Sequence, residues 1–148
     1  MGPRALAICV FRDGDRILAF HVPDSDEKGW RPLGGSIEFG ETARDAIVRE
    51  IREELGAELV EPRLLGTLEN IFSYRGTTGH EIVFVFDGRL PDPWMYERDH
   101  LDYVEDGVAP DDPAFTGRAV WKRLEEFGAP GAQPLYPEGL LEFLEGLG

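Results

Sequence analysis

The stretch GSIEFGETARDAIVREIREELGA, residues 35–57, governs how the rest of the chain is read. From Thr42 onward, Ile47, Ile51 and Leu55 recur every four residues, the spacing of one helix face, and Gly56 supplies a stop. Thr42 and Asp45 stand at capping-box spacing, although Asp is a weaker partner there than Glu. The pattern predicts a helix over residues 42–55. Ahead of it, Gly34 and Gly35 mark a tight backbone turn between short extended pieces spanning Trp30 to Glu38.

Within that helix Glu50, Glu53 and Glu54 stand at i, i+3 and i+4, which gathers three carboxylates about a turn apart on one face. The apolar stripe lies beside them, so one side of the helix is expected to pack while the other collects negative charge. Like charges at this spacing cost roughly 0.2–0.5 kcal/mol per pair, and the cluster needs compensation. A hard divalent cation supplies it, because Mg²⁺ commonly bridges one or two protein carboxylates to substrate phosphates. The plainer alternative is a solvated face held by ion pairs to nearby arginines, and for three glutamates alone that is the commoner case. What precedes the helix separates the two.

Working outward, Arg4 to Phe11 and Arg16 to Val22 read as strands joined by an Asp13-Gly14 turn. Pro23 to Gly29 reads as a loop. Beyond the helix, Leu59 to Asn70 and Glu81 to Leu90 are strand candidates separated by a turn-rich Ser73 to Gly79. The acidic segment from Pro91 to Pro113 reads as a long loop or short helix rather than core. Arg118 to Leu124 and Glu138 to Leu147 read as a last strand and a closing amphipathic helix. No repeat or linker divides residues 1–148, so one domain is expected.

With 42% hydrophobic and 30% charged residues the balance is globular. Cys9 sits in an apolar run and reads as a buried, inert thiol. No segment resembles a signal peptide or a membrane span, which points to the cytoplasm. A net charge of −14 disfavours DNA or RNA as partners, since phosphate contacts need clustered Lys and Arg. It leaves room for a small phosphate ligand, whose field a metal ion can invert. His21, His80 and His100 lack a zinc-ligand spacing.

The order Gly35, five residues, Glu41, seven residues, Arg49-Glu50, Ile51, Arg52, Glu53-Glu54, Leu55, Gly56, Ala57 matches the Nudix box throughout. The chain resembles the Nudix hydrolase family of the MutT type, and the order of elements around the box resembles that family's α/β/α sandwich with a mixed central sheet, an α/β (α+β) class. One departure is that Pro often precedes the paired glycines directly, whereas here the order is Pro32-Leu33-Gly34-Gly35.

The resemblance implies a metal-dependent hydrolase that cleaves a phosphoanhydride bond in a nucleoside di- or triphosphate, or in a nucleoside diphosphate linked to another moiety, diadenosine polyphosphates included. It implies Mg²⁺ or Mn²⁺ as cofactor, with Glu53 and Glu54 as principal metal ligands, Glu50 as a third ligand or water-positioning group, and Gly35 offering its carbonyl. Arg49 belongs to this machinery through a structural pair with Glu41. A base from outside the box is sought among Glu97, Asp99, Asp102, Glu105 and Asp106, with Glu97 first.

For substrate contacts the candidates are Tyr74, Arg75, Trp30, Arg31 and Glu97, with His80-Glu81 at the head of a strand facing the cleft. Some family members acting on ADP-ribose carry Pro where this chain has Phe72, and members acting on diadenosine polyphosphates carry Tyr in the interval where Tyr74 falls. Stacking of Tyr74 on a base and ordinary packing both stay open. Trp94, Met95 and Tyr96 read either as a lid or as an anchor for their loop. The expected partner is a small nucleotide-like diphosphate, with no nucleic-acid polymer and no membrane; a homodimer is left open. Two other readings are a nucleotide-binding regulator that kept the fold and lost turnover, and an enzyme acting on a non-nucleotide diphosphate. Intact box acids oppose the first. The scarcity of lysine, only Lys28 and Lys122, opposes a highly phosphorylated inositol.

Overall fold

A computed structural model describes residues 2–22, 29–74, 76–104 and 116–147. Strands β1 (Arg4–Asp13) and β2 (Arg16–Val22) are joined by the expected tight turn, where Gly14 takes φ 63°. They pair only beside that turn, at Arg12↔Ile17 and Asp13↔Arg16. Past it they part and take other partners. β1 runs antiparallel to β4 (Leu33–Ser36) and parallel to β6 (Thr77–Arg89), while β2 lies between β3 (Gly29–Arg31) and β8 (Thr116–Arg123). β5 (Val60–Tyr74) adds to β6, and β7 (His100–Val104) adds to β8. Two half-sheets, β5-β6-β1-β4 and β3-β2-β8-β7, therefore diverge from one shared turn. The parallel β1–β6 ladder makes the whole mixed, as expected.

β1 is apolar on both faces because both are covered. Ala7, Cys9 and Phe11 point to one core with Ala46, Ile47 and Ile51 of helix α1 (Ala43–Leu55). Leu6, Ile8 and Val10 point to the other, with Phe127 of α3 (Leu124–Gly128) and Leu140 and Leu144 of α4 (Leu140–Gly146). Helices thus lie on both sides of the sheets, the expected sandwich. Each fully buried side chain such as Ile47 or Ile51 contributes roughly 1.5–3 kcal/mol. Cys9 is buried, and that burial, helped by the Asp87 charge, pushes its thiol well above the usual range.

The caps of α1 are those its sequence predicts. Thr42 Oγ1 accepts from the Asp45 backbone N–H at 3.1 Å, and Gly56 closes the helix at φ 66° with its N–H on the Arg52 carbonyl.

Three segments depart from the expectation. Residues 73–79 are mostly ladder, with Ser73↔Thr78 and Tyr74↔Thr77 in register. Gly79 reads as a turn residue but serves inside the strand, where a Cβ would run into the ring of Phe72. Residues 91–104 hold α2 (Trp94–Glu97) and β7, and Met95, Leu101 and Tyr103 are core. Tyr96 stacks on Trp121 with ring centroids 5.2 Å apart and accepts the Leu90 N–H at 2.9 Å, while Trp121 Nε1 donates to the Met95 carbonyl. Met95 and Tyr96 are therefore an anchor; Trp94 is exposed under Arg98. The short α3 is the third departure. The remainder of the acidic segment, with Glu105 and Asp106, lies outside the described residues. No helix among the described residues is long and apolar enough to cross a membrane.

Candidate active site

The buried side of α1 consists of Ala46, Ile47, Glu50, Ile51 and Glu54. Glu50 is fully buried and Glu54 is 5% exposed, whereas the Glu53 side chain is 42% exposed. The expected split into an apolar side and an acidic side does not hold: two of the three box acids share the packed face with the isoleucines. The reason lies beneath them in β4. A Cβ on Gly35 would come within 2.6 Å of Glu50 Oε1, so the missing side chain is the space the carboxylate fills. Gly34, at φ 149°, lies so close to β1 that a Cβ would strike the Ala7 carbonyl oxygen. The paired glycines let the strand approach and give the glutamates room.

Arg49 ties this arrangement together. Its Nε and Nη2 grip both oxygens of Glu41 at 2.8 and 2.9 Å, Nη2 also donates to the Ser36 carbonyl at 3.1 Å, and Nη1 donates to Glu50 Oε1 at 3.0 Å and Glu53 Oε2 at 3.3 Å. One planar guanidinium thereby binds the loop before the helix and orients two box acids. The hydrogen bonds from Arg49, with one from the Glu38 backbone N–H, hold the Glu41 carboxyl down from 4.5 to about 2, and the same contacts raise Arg49 further above its ordinary value.

Where the half-sheets part, a cavity of about 240 Å³ opens between them. Gly34, Gly35 and Glu54 form one part of its wall. Leu6, Ile8 and Val83 come from the first half-sheet, Phe20 and Tyr103 from the second, and Arg4, Arg31 and Glu81 add charge. The rings of Phe20 and Tyr103 meet with centroids 5.0 Å apart. An apolar slot with a few converging polar groups is the usual form of a small-molecule site.

Among the described residues no three His, Cys, Asp or Glu side chains gather closely enough to enclose a cation unaided. Mg²⁺ does not require that, since it usually takes one or two carboxylates and keeps several waters. Glu50, Glu53 and Glu54 present the hard oxygen donors such an ion prefers, beside a glycine backbone that a Cβ would obstruct. The residues present fit a divalent cation.

The other residues singled out in the sequence are dispersed. Arg31 lines the cavity, but Trp30 packs away from it, against His21 at 5.0 Å between centroids and beneath Lys122 Nζ at 4.5 Å. Tyr74 ends β5, and Arg75 lies outside the described residues. Glu97 is exposed on α2, apart from the cavity lining. Asp99 caps the edge of β8 through its carbonyl, accepting the Trp121 N–H at 3.2 Å, and Asp102 is exposed on β7. Of the cavity residues, Arg4, Phe20 and Tyr103 went unnoticed in the sequence. Their alternation within strands marks which face they share, but nothing local marks which strands meet.

A family model described as NUDIX domain matches residues 1–138. The chain is 36% identical over 76 residues to a Bacillus subtilis (strain 168) protein named as an uncharacterized Nudix hydrolase, YvcI, covering 51% of this chain and 44% of that one. It is 46% identical over 54 residues to the CTP pyrophosphohydrolase of Escherichia coli (strain K12), covering 36% and 40%. It thus spans less than half the length of these curated relatives. In structure it is similar to a NUDIX hydrolase from Nitrosomonas europaea, with a TM-score of 0.68 at 22% identity, over 99% of this chain and 88% of that one, a likeness of fold. A box whose glycines, arginine and glutamates interlock as described, inside a family match across most of the sequence, leaves one reading of descent: the chain belongs to the Nudix domain family.

Proposed function

We propose that this chain hydrolyses a phosphoanhydride bond in a nucleoside di- or triphosphate, or in a nucleoside diphosphate linked to another moiety, with Mg²⁺ or Mn²⁺ as cofactor. The observation that carries this reading is the pair of buried glutamates, Glu50 seated over Gly35 of β4 and Glu54 in the wall of the cavity. Burying carboxylates is expensive and is retained where ions or chemistry use them.

Glu50, Glu53, Glu54 and the Gly35 carbonyl would hold the cation, which would supply charge neutralisation for the phosphates and a more acidic water. The protein's own groups do the rest. Arg49 holds Glu50 and Glu53 in one orientation, so little reorganisation is left for the moment of reaction. The bare backbone of Gly34 and Gly35 lets β4 lie close against β1 and leaves Glu50 its seat. Water attacks phosphorus, the bridging P–O bond breaks, and the proton from the attacking water passes to a box carboxylate. A net charge of −14 keeps polymeric nucleic acid away and suits a small substrate.

The relative named CTP pyrophosphohydrolase supports placing nucleoside triphosphates first in a substrate panel, followed by diadenosine polyphosphates, ADP-ribose and NADH. Phosphate and pyrophosphate release is measured with Mg²⁺ or Mn²⁺ for wild type and Glu53→Gln, whose exposed site permits folding. Metal-dependent turnover that falls by about 10²-fold or more in the variant is expected. No turnover on any compound with either ion would transfer the reading to a binding protein.

A further inference from the structure

The cavity has a charged end that the hydrolytic step does not use. Glu81, on β6, is 6% exposed and stands opposite Arg4 in the parallel ladder. Its carboxylate oxygens lie 3.7 Å from Arg4 Nη1 and 3.5 Å from Arg31 Nη2. Both distances are long for hydrogen bonds. Arg4 is anchored elsewhere, with Nε and Nη2 donating to Ser36 Oγ at 2.8 and 2.6 Å. Glu81 thus faces two cations at ion-pair distance, while among the described residues its oxygens accept no hydrogen bond. A smaller depression lined by Asn70, Phe72 and Tyr136 also has Arg31 and Glu81 in its wall, so the pair divides two spaces.

A ring seated between Phe20 and Tyr103 on one side and Leu6 and Val83 on the other would direct its polar edge to this end. That end offers an acceptor, Glu81, beside a donor, Arg31. A cytosine edge is complementary, with its amino group beside ring acceptors, and a guanine edge is complementary through its own amino group beside the ring N3 acceptor. Uracil sets a carbonyl oxygen where cytosine has the amino group, against the carboxylate, and repels it.

Resting on the nucleotide reading above, we propose that Glu81, set in place by Arg4 and Arg31, is a specificity-determining residue that accepts a hydrogen bond from the exocyclic amino group of cytosine or guanine. Arg4 acts on the substrate through Glu81 and Ser36 and is a positioning residue.

The test uses two pairs of triphosphates that differ at one amino group, CTP with UTP and GTP with ITP, and measures kcat/KM in wild type, Glu81→Gln and Glu81→Asp. In at least one pair the amino-bearing member is preferred by about tenfold or more, the discrimination one base-edge hydrogen bond gives, and the pair that shows it identifies the base. Glu81→Gln brings that ratio towards one, mainly through KM. Glu81→Asp keeps the charge and withdraws the acceptor, so it lowers the ratio while thermal unfolding stays near wild type, which guards against a merely unstable Gln variant. Turnover without preference in either pair, or a preference that survives both substitutions, overturns the assignment and leaves the hydrolase reading intact. An equal fall in kcat on all four nucleotides overturns it in favour of a catalytic role. Absence of turnover on every nucleotide overturns the nucleotide reading and this inference together.

Discussion

Gly34 and Gly35 are neighbours with identical chemistry and different burdens. A methyl group on Gly34 meets the Ala7 backbone at a φ that L-residues avoid, so Gly34→Ala is expected to cost about 1–3 kcal/mol of stability. On Gly35 the three atoms nearest the methyl all belong to the Glu50 carboxylate, the far end of a side chain that can turn aside. Gly35→Ala should therefore unfold in urea close to wild type yet bind Mn²⁺ more weakly; titration calorimetry that found wild-type affinity would disconnect Gly35 from the acids. Glu41 allows a test by acid. Its folded pKa is depressed from 4.5 to about 2, so the Arg49 pair stabilises the fold fully above the upper value and loses that effect as pH falls through the lower one. Metal-free Glu41→Gln should be less stable than wild type at neutral pH, with the gap closing towards about pH 2. A gap that stayed constant through acid would show that the pair does not hold the loop.

Among the elements, α1 was the most legible in the sequence because its period, N-cap and terminal glycine agree. Thr42→Ala removes the acceptor for the Asp45 N–H and should cost about 1 kcal/mol in a denaturant titration, the usual effect of losing a cap. What the period concealed was the burial of Glu50 and Glu54, since a helical wheel records which residues share a face but not that the facing strand presents glycine at Gly34 and Gly35. β7 and the core role of α2 escaped for a related reason, although a short helix was one of the two forms expected there. Their segment is rich in proline and acid, and its apolar residues Met95, Leu101 and Tyr103 are too few to announce a core role without Trp121 to pack on. Tyr96→Phe tests that anchor: it strands the Leu90 N–H and should cost about 1–3 kcal/mol, whereas a lid residue would be neutral to stability.

At the scale of the whole molecule, the cavity exists because β1 and β2 separate after two residue pairs and each recruits a partner distant in sequence. The residues that line it could be placed on strand faces from alternation alone. That Arg4 stands beside Glu81, or that Tyr103 meets Phe20, depends on register between distant strands, which no local pattern encodes. Metal binding should register globally as well. An ion at one hundred times its Kd adds about 2.7 kcal/mol to stability, so the melting temperature of wild type should rise with Mg²⁺ far more than that of Glu53→Gln, as calorimetry can decide.

The same distant pairings impose a schedule on biosynthesis. β1 cannot complete its ladder until β6 has left the ribosome, and β2 waits longer still, for β8, with Ile17 facing Lys122. Translation therefore delivers the box helix after β1 and β4, on which it packs, but well before β6, β7 and β8, so the nascent chain holds only part of its cover. The cavity beside the box acids needs Glu81 and Val83 of β6 and Tyr103 of β7, so it is completed among the last events of folding, and an interrupted polypeptide carries the whole signature without that cavity.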